Sequence, residues 1–456
     1  MRVCFANHST APKSLGGAER SLIRLVEDWQ GIDSDFEPTF VTKAPRGTFI
    51  DALEQRGWQY QAYRFRGWAL PSPQPAPAAE RATFATADYA AVSAIIRQFE
   101  QQRPDLVVTN TLVAPWAAFA AAALGIPQAW FIREYGDLDH GLQFQIGRDA
   151  TLRDIGLMAL EVVTNSQSLR AHLAPFIDPE RISVAYPAVE VEQLLAGRAA
   201  VPVQVPFPQE DPGLRITMVG RVEESKGQFR VIDALGELAR RGVTASVCFV
   251  GAWTHPGYDL LLRERARSLG IAGRVTFAGE QRNPAPYIHA ADVCVTASTL
   301  EAFGRSTAEY MALGRAVVAA DNGGSAELVV PGRTGRLFPV DDTAAFADAL
   351  EHYAMHPEDV LRHGSRGQEE LSRTLSTGHD NASAIARLSA LVGTEGYRLP
   401  EIARYWFDLP ATYASLGATS AKAAIGLLVS RVGTRSGLVG RALAAPGVAA
   451  RRLVRR

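Results

Sequence analysis

Cysteine is scarce in this chain, with three in 456 residues. Cys4, Cys248 and Cys294 each fall in an apolar run of strand character (Arg2–Ala6, Ala245–Val250, Asp292–Thr296), and no two stand at zinc-ligand or thioredoxin spacing. They read as buried thiols, which argues against a disulfide framework and fits a reducing compartment. An excess of charge is missing too. The 47 Lys and Arg balance 48 Asp and Glu for a formal net charge of −1, so nucleic acid is not expected as a partner. No run of membrane-spanning length and apolarity is present. The nearest candidate, Val113–Ile126, is alanine-rich, contains Pro115 and reads as a buried helix. The N-terminus lacks the pattern of a signal peptide: Met1–Ala6 reads as a strand and Asn7–Gly17 as a polar, glycine-ending loop.

What the chain does have is length and alternation. A single core stops growing well short of 456 residues, so two domains plus extras are expected. Strand signals at Val3–Ala6, Thr39–Thr42, Asp105–Thr109, Gln128–Ile132 and Val162–Asn165 alternate with helical ones at Ala18–Trp29, Ala90–Phe99 and the alanine-rich stretch. Repeated units of this kind imply a parallel sheet with crossover helices. Arg64–Asp88, with Pro71, Pro73, Pro75 and Pro77, reads as an irregular insertion. Proline-rich 196–213 reads as a linker between a first domain, 1–195, and a second, 214–395. In the second the pattern restarts: strands at Arg215–Val219, Ser246–Val250, Val275–Ala278, Val293–Thr296 and Ala316–Ala320, helices at Gln228–Arg240, Tyr258–Leu269, Ala285–Ala290 and Ser306–Leu313. Residues 396–456 form an extension.

Three loops carry the chemistry. Gly220–Gly227 lies between a strand and a helix, where ligands of such sheets bind, and Arg221 and Lys226 supply two positive charges suited to a diphosphate. It is neither a Walker loop nor a GxGxxG fingerprint, and taken alone two basic loop residues are ordinary solvated charges. The second loop, Ser298–Gly304, leads into a helix. Ser306 with Glu309 matches a Ser-x-x-Glu capping box, a purely structural reading that leaves Glu301 and Gly304 unexplained. A carboxylate at a strand end is suited to accepting sugar hydroxyls, and Gly304 lets backbone N–H groups approach a ligand. The third loop holds Gly323-Gly324 with Glu327, and Gly332 with Gly335 follows; turn chemistry alone accounts for these glycines. Asp137-Leu138-Asp139 imitates a metal-binding Asp-x-Asp but reads as coincidence.

The order of these motifs resembles that of retaining, family 4-type glycosyltransferases. Glu301, seven intervening residues, Glu309, the strand Ala316–Ala319, Gly323-Gly324 with Glu327, and Gly332 with Gly335 follow that pattern. Gly220-Arg221, Lys226-Gly227, Phe277-x-Gly279, Ala290–Val293, Gly16–Arg20 and Asn165-Ser166 match as well, so the resemblance runs from residue 1 to about 393. It implies an α/β chain of the GT-B fold, with two Rossmann-like doubly wound domains facing a central cleft. It further implies that Arg221 and Lys226 bind the donor diphosphate, Glu301 the transferred sugar and Glu309 the ribose. Phe303, Gly304, Arg305, Ser306 and Thr307 would line sugar and phosphate through their backbone, Glu280 and Arg282 would lie near the base, and Gly16 and Gly17 near the phosphate or acceptor. The chain departs from the pattern at Arg133-Glu134, where many relatives carry His-Asp, and at Arg305-Ser306, where Leu-Pro is common. Arg133 becomes a candidate for charge or acceptor binding, and the sequence does not choose between His8 and His140 as a replacement histidine.

The reaction implied is transfer of a sugar from a UDP- or GDP-linked donor to a hydroxyl acceptor, possible acceptors being lipid-linked or envelope glycans, with retention and without a metal cofactor. The rival readings are a nucleotide-sugar epimerase of the same fold and a non-catalytic, nucleotide-sugar-binding scaffold subunit. Ser420–Arg456 differs in kind: from Arg431 on it has seven arginines and no acidic residue. Such a segment suits an anionic membrane surface, and a plain basic tail is the alternative. A cytoplasmic protein, peripheral to the inner face of the membrane, is the expectation.

Overall fold

The computed structural model describes residues 1–399 apart from 12–14, 71–77, 201, 203, 376, 377 and 379. The basic segment Ser420–Arg456 lies outside the described residues. Among the described residues no helix is long and apolar enough to cross a membrane. Packing divides the chain into two compact units. The first comprises Met1–Phe131, Gly141–Val162 and the described residues of Leu388–Arg456; the second comprises Ile132–His140 and Val163–Arg387.

Two large sheets organise the chain. The strands of the first are β1 (Arg2–Ala6), β2 (Glu37–Lys43), β3 (Gln59–Tyr63), β4 (Leu106–Thr109), β5 (Gln128–Ile132), β6 (Glu161–Thr164) and β7 (Ile182–Val184). Their order is β3-β2-β1-β4-β5-β6-β7. β1 runs parallel to both β2 and β4, with Val3 opposite Pro38 and Leu106. Alternate residues of a strand face opposite ways. Cys4 and Ala6 accordingly pack with Val92, Ile95 and Phe99 of α2 (Ala78–Gln101). Phe5 meets Trp29 of α1 (Gly17–Ile32) and Phe36, whose rings stack 4.7 Å apart. The apolar stripe of Leu22, Ile23, Leu25, Val26 and Trp29 is buried as its helical period requires.

The proline-rich segment corrects one expectation. Helix α2 already begins at Ala78 and runs for 24 residues, so the second half of Arg64–Asp88 is helical. Ala78, Ala79, Glu80, Arg81 and Ala82 follow the last proline and are good helix formers, a preference that outweighs the compositional signal of the prolines before them. Asp88, on this helix, accepts the Arg66 backbone N–H at 2.6 Å.

The strands of the second sheet are β8 (Leu214–Val219), β9 (Ala245–Val250), β10 (Val275–Gly279), β11 (Val293–Thr296), β12 (Ala316–Ala320) and β13 (Gly335–Phe338). All pairings are parallel, in the order β10-β9-β8-β11-β12-β13. Both faces are covered, as near-continuous apolar strands demand. Val247 and Phe249 join one core cluster with Val231, Leu235 and Leu350, while Cys248 and Val250 join the opposite one with Tyr287, Tyr310 and Met311. Burial pushes the Cys4 and Cys248 thiols up to about 12 and raises Cys294 further, so all three cysteines are inert packing residues.

Candidate functional site

The strand order of the second sheet fixes where a ligand fits. From β8 the chain steps outward through β9 to β10, then crosses back to β11 and steps outward the other way. The connections leaving the carboxyl ends of β8 and β11 therefore part in opposite directions and open a crevice, the switch point of a doubly wound sheet. The two loops at that point are Gly220–Gly227 and Ala297–Gly304, the segments to which the sequence assigns the donor.

Backbone bonds lock these loops to each other and to the loop after β12. Thr299 N donates to Ser225 O at 2.9 Å, and Gly324 N to Glu301 O at 2.7 Å. Asn322 Nδ2 donates to Thr299 O at 2.7 Å, and Gln228 Nε2 to Arg221 O at 2.9 Å. The contacts are close enough to demand glycine. Gly227 has φ 79°, and a Cβ there would stand 2.0 Å from Ala297 O; a Cβ on Gly324 would stand 2.5 Å from Phe303 Cα.

Helices α3 (Gln228–Arg240) and α4 (Arg305–Ala312) start at this crevice. Each follows a left-handed glycine, Gly227 or Gly304, and neither has a side-chain cap, so the positive end of each helix dipole is presented by backbone alone. This corrects the capping-box expectation. Gly304, with φ 82°, is the N-cap of α4, and Ser306 lies inside the helix, where its Oγ donates to Val219 O at 2.9 Å. Val219 N in turn donates to Tyr310 Oη at 2.7 Å, so α4 holds the carboxyl end of β8. A second tie is the buried hydroxyl chain Thr296–Thr307–Ser325, with oxygens 2.8 and 3.0 Å apart. Thr307 and Phe303 are thus turned into packing, the Phe303 ring 6.0 Å from that of Tyr186. Only their backbone is left for a ligand.

Lys226 Nζ lies 2.6 Å from Glu301 Oε1, and each side chain is 20% exposed. Ser298 Oγ donates to the same oxygen at 2.6 Å. Burial works to raise the Glu301 pKa, but the Lys226 charge, the hydrogen bonds from Lys226 and Ser298, and a lesser influence of His140 outweigh it and hold the carboxyl below its ordinary value. Arg221 is more exposed and pairs with Glu223 at 3.1 Å. Glu309 is half-buried on the second turn of α4. Arg133 belongs to the same packing unit, and burial together with the charge of Arg305 brings its pKa down to about 10. Two guanidinium groups that repel each other favour an anion near them.

The remaining sequence-selected residues stand apart from this cluster. Glu280 and Arg282 are exposed after β10, two strands from β8. Gly16 and Gly17 are exposed at the start of α1 in the first unit. Asp139 ties its own loop: its carboxylate accepts the backbone N–H groups of Tyr135 and Gly136 at 2.9 and 2.8 Å. Among the described residues no cluster of three acidic, histidine or cysteine side chains is arranged to hold a metal ion. His8 is half-buried, its Nδ1 2.6 Å from Thr111 Oγ1 in the first unit, and desolvation followed by the Lys43 charge brings its pKa to about 4.

Sequence reasoning gave no role to Ser298, Asn322 or Gln228: Asn322 reaches Thr299 in another loop, while Ser298 and Gln228 bond within or beside their own loops, to Glu301 and Arg221, contacts that spacing alone does not announce. Glu327, noted only as the end of a turn, accepts N–H groups of Gln167 at 2.9 Å and Ser168 at 3.2 Å and the hydroxyl of Tyr186. It caps the helix Gln167–Leu173 from a distance of 160 residues in sequence.

Comparison with known proteins agrees with this geometry. Residues 213–355 match the family of glycosyl transferases group 1, and residues 15–193 match glycosyltransferase family 4. A lipopolysaccharide core biosynthesis mannosyltransferase of Rhizobium meliloti is 30% identical over 246 residues, covering 49% of this chain and 69% of the relative. A D-inositol 3-phosphate glycosyltransferase of Rhodococcus erythropolis is 30% identical over 235 residues, covering 49% of this chain; the chain spans only 51% of that relative's length. Among solved structures, Anabaena HepE in complex with UDP superposes with a TM-score of 0.65 at 21% identity, over 86% of this chain and 99% of HepE. A glycosyltransferase from Rickettsia africae gives 0.67 at 16% identity, over 86% of this chain and 99% of that one. At such identities the likeness is one of fold, and the fold is GT-B.

Proposed function

The chain belongs to the group 1, family 4 glycosyltransferases, and from that membership we infer that it moves a sugar from a nucleoside diphosphate donor, UDP- or GDP-linked, to a hydroxyl acceptor with retention at the anomeric carbon. The observation that carries this reading is the Lys226–Glu301 pair at the crevice between β8 and β11, flanked by two uncapped helix starts. Without a donor, Glu301 neutralises Lys226. A diphosphate entering the crevice takes over Lys226, and Glu301, still held by Ser298, turns to the hydroxyls of the transferred sugar.

Charge then explains turnover. As the glycosidic bond breaks, negative charge grows on the leaving diphosphate, and Lys226, Arg221 and the amides at the starts of α3 and α4 stabilise it. Preorganised groups of this kind supply the largest share of many rate enhancements. The leaving phosphate is itself basic enough to take the acceptor proton in a front-face displacement, so the mechanism requires no side-chain base. Arg133, near Arg305, adds positive charge for the phosphate or for an anionic acceptor. The same positive charges make a divalent ion dispensable, and activity is expected to survive chelation by EDTA.

The relatives' names divide on the acceptor, one naming lipopolysaccharide core biosynthesis and the other D-inositol 3-phosphate; the class proposed is a glycan or lipid-linked hydroxyl of the cell envelope. A cytoplasmic enzyme resting on an anionic membrane through Ser420–Arg456 accords with that class, and flotation with anionic liposomes, with and without this segment, tests it. The activity itself is tested by incubating the protein with UDP- and GDP-sugars and a lipid-linked or alcohol acceptor, and reading the anomeric configuration of the product by NMR. A product of inverted configuration overturns retention. Donor consumption that is indifferent to acceptor favours the epimerase reading, and transfer rates unchanged in Lys226→Ala remove the site.

A further inference from the structure

Trp253 stands apart from the other tryptophans. Trp29, Trp58, Trp68 and Trp130 are buried and Trp116 is partly so, but Trp253 is 37% exposed, the one exposed tryptophan among the described residues. Its exposed part is apolar surface that gains free energy on being covered. Its place in the fold is specific. It lies three residues past the carboxyl end of β9, the strand beside β8, and forms a parallel bridge with Val222, between Arg221 and Glu223 of the phosphate loop. Val222 N donates to Ala252 O at 2.8 Å, and Gly251 N to Gly279 O at 2.9 Å, so the segment is fixed to the loop on one side and to the end of β10 on the other. A Cβ at Gly251 would meet Gly220 O at 1.8 Å, which shows how closely the two loops are pressed together.

The indole ring also has an aromatic neighbour. Its centroid is 5.1 Å from that of Phe277, and the Arg263 guanidinium lies 4.4 Å from the Phe277 ring. Trp253 and Arg263 both contact the Phe277 ring, and the indole remains partly open to solvent next to the loop that carries Arg221 and Lys226. Glu280 and Arg282 are exposed just past β10, the strand that carries Phe277. A flat aromatic surface beside a diphosphate cradle has the chemistry to stack a purine or pyrimidine.

We propose that Trp253 is the stacking platform for the nucleobase of the donor, a specificity-relevant binding residue that the family-based assignment of Glu280 and Arg282 to the base leaves out. The proposal rests on the donor reading above. Stacking accepts any base, so it contributes affinity for a nucleotide, while the choice between uracil and guanine falls to polar groups past β10.

The test compares wild type, Trp253→Ala and Trp253→Phe by calorimetry with UDP, GDP and inorganic pyrophosphate. Trp253→Ala should weaken the preferred nucleoside diphosphate by about 5- to 150-fold, the range of one base–aromatic stack. Pyrophosphate binding should be unchanged, and Trp253→Phe should recover most of the loss. Equal affinity of Trp253→Ala and wild type for the nucleotide overturns the proposal, as does an equal loss for pyrophosphate, which would mean that the loop itself had shifted. If wild type binds neither UDP nor GDP, the donor reading fails and takes this proposal with it, an outcome distinct from a failure in the variants alone.

Discussion

Lys226 Nζ and Glu301 Oε1 are 2.6 Å apart although 75 residues separate them in sequence, and each belongs to a loop on one side of the switch point. The ion pair is therefore both a tie between the two loops and a store of the charges the donor needs. Taking out one partner leaves the other partly buried and unpaired. Lys226→Met should cost about 1–3 kcal/mol of stability, the penalty for stranding a buried group. The double variant Lys226→Met/Glu301→Gln should recover much of it. Urea denaturation of the two singles and the double checks this, and additive losses would mean the pair is not coupled.

The same pair sets a pH dependence. The Glu301 pKa is held below its ordinary value in the folded protein, so its contribution to stability is complete above the unfolded-state pKa and is lost as pH falls through the depressed one. In Lys226→Met burial is left as the main influence and raises the pKa, so the sign reverses: this group should weaken the variant as pH rises through the raised pKa and cease to do so on acidification, where wild type loses its contribution. A titration of carbon-13-labelled glutamate carboxyls, with Glu301→Gln to assign the signal, should show the midpoint moving up.

Gly227 tests how far the site depends on backbone. A left-handed residue other than glycine costs roughly 1–2 kcal/mol. Gly242 has φ 79° with open space around its missing Cβ, whereas at Gly227 that Cβ would meet Ala297 O. Gly242→Ala should show the conformational cost alone. Gly227→Ala should exceed it in chemical denaturation and also lose activity, because the loops carrying Lys226 and Glu301 are forced apart.

Glu327 should prove to be a structural residue. It gathers two backbone N–H groups and the Tyr186 hydroxyl, and Tyr186 packs against Phe303. Glu327→Ala is expected to lower stability by about 1–3 kcal/mol through those orphaned donors. Thermal unfolding measures this, and a fall in activity with unchanged melting temperature would assign Glu327 to the chemistry instead.

Much of this was legible in the sequence where the signal is local. The strand–helix alternation located β8, β9, β10, β11 and β12 within a residue or so, because apolar runs bounded by glycine and charge are short-range patterns. The family resemblance assigned Arg221, Lys226 and Glu301 to one donor site, and the structure pairs Lys226 with Glu301 while Arg221, on the same loop as Lys226, pairs with Glu223. Local signals also misled. Ser306 and Glu309 have the spacing of a capping box, yet Gly304 is the cap, since closeness to Ser325 selects a left-handed glycine there. The prolines of Arg64–Asp88 hid the start of α2. Pairings across loops, such as Lys226–Glu301, Asn322–Thr299 and Glu327 with Gln167, have no footprint in spacing and emerge only when the sheet brings their strands together.

The central claim is that the crevice between β8 and β11 holds the diphosphate of a nucleotide-sugar donor on Lys226. Isothermal titration of UDP and GDP into wild type and Lys226→Ala tests it most directly. Wild type should bind one of the two, and Lys226→Ala, still folded, should bind it at least about tenfold more weakly, the value of a lost charge-assisted contact of about 1.4 kcal/mol or more. Wild-type affinity for that nucleotide in a folded Lys226→Ala protein would contradict it.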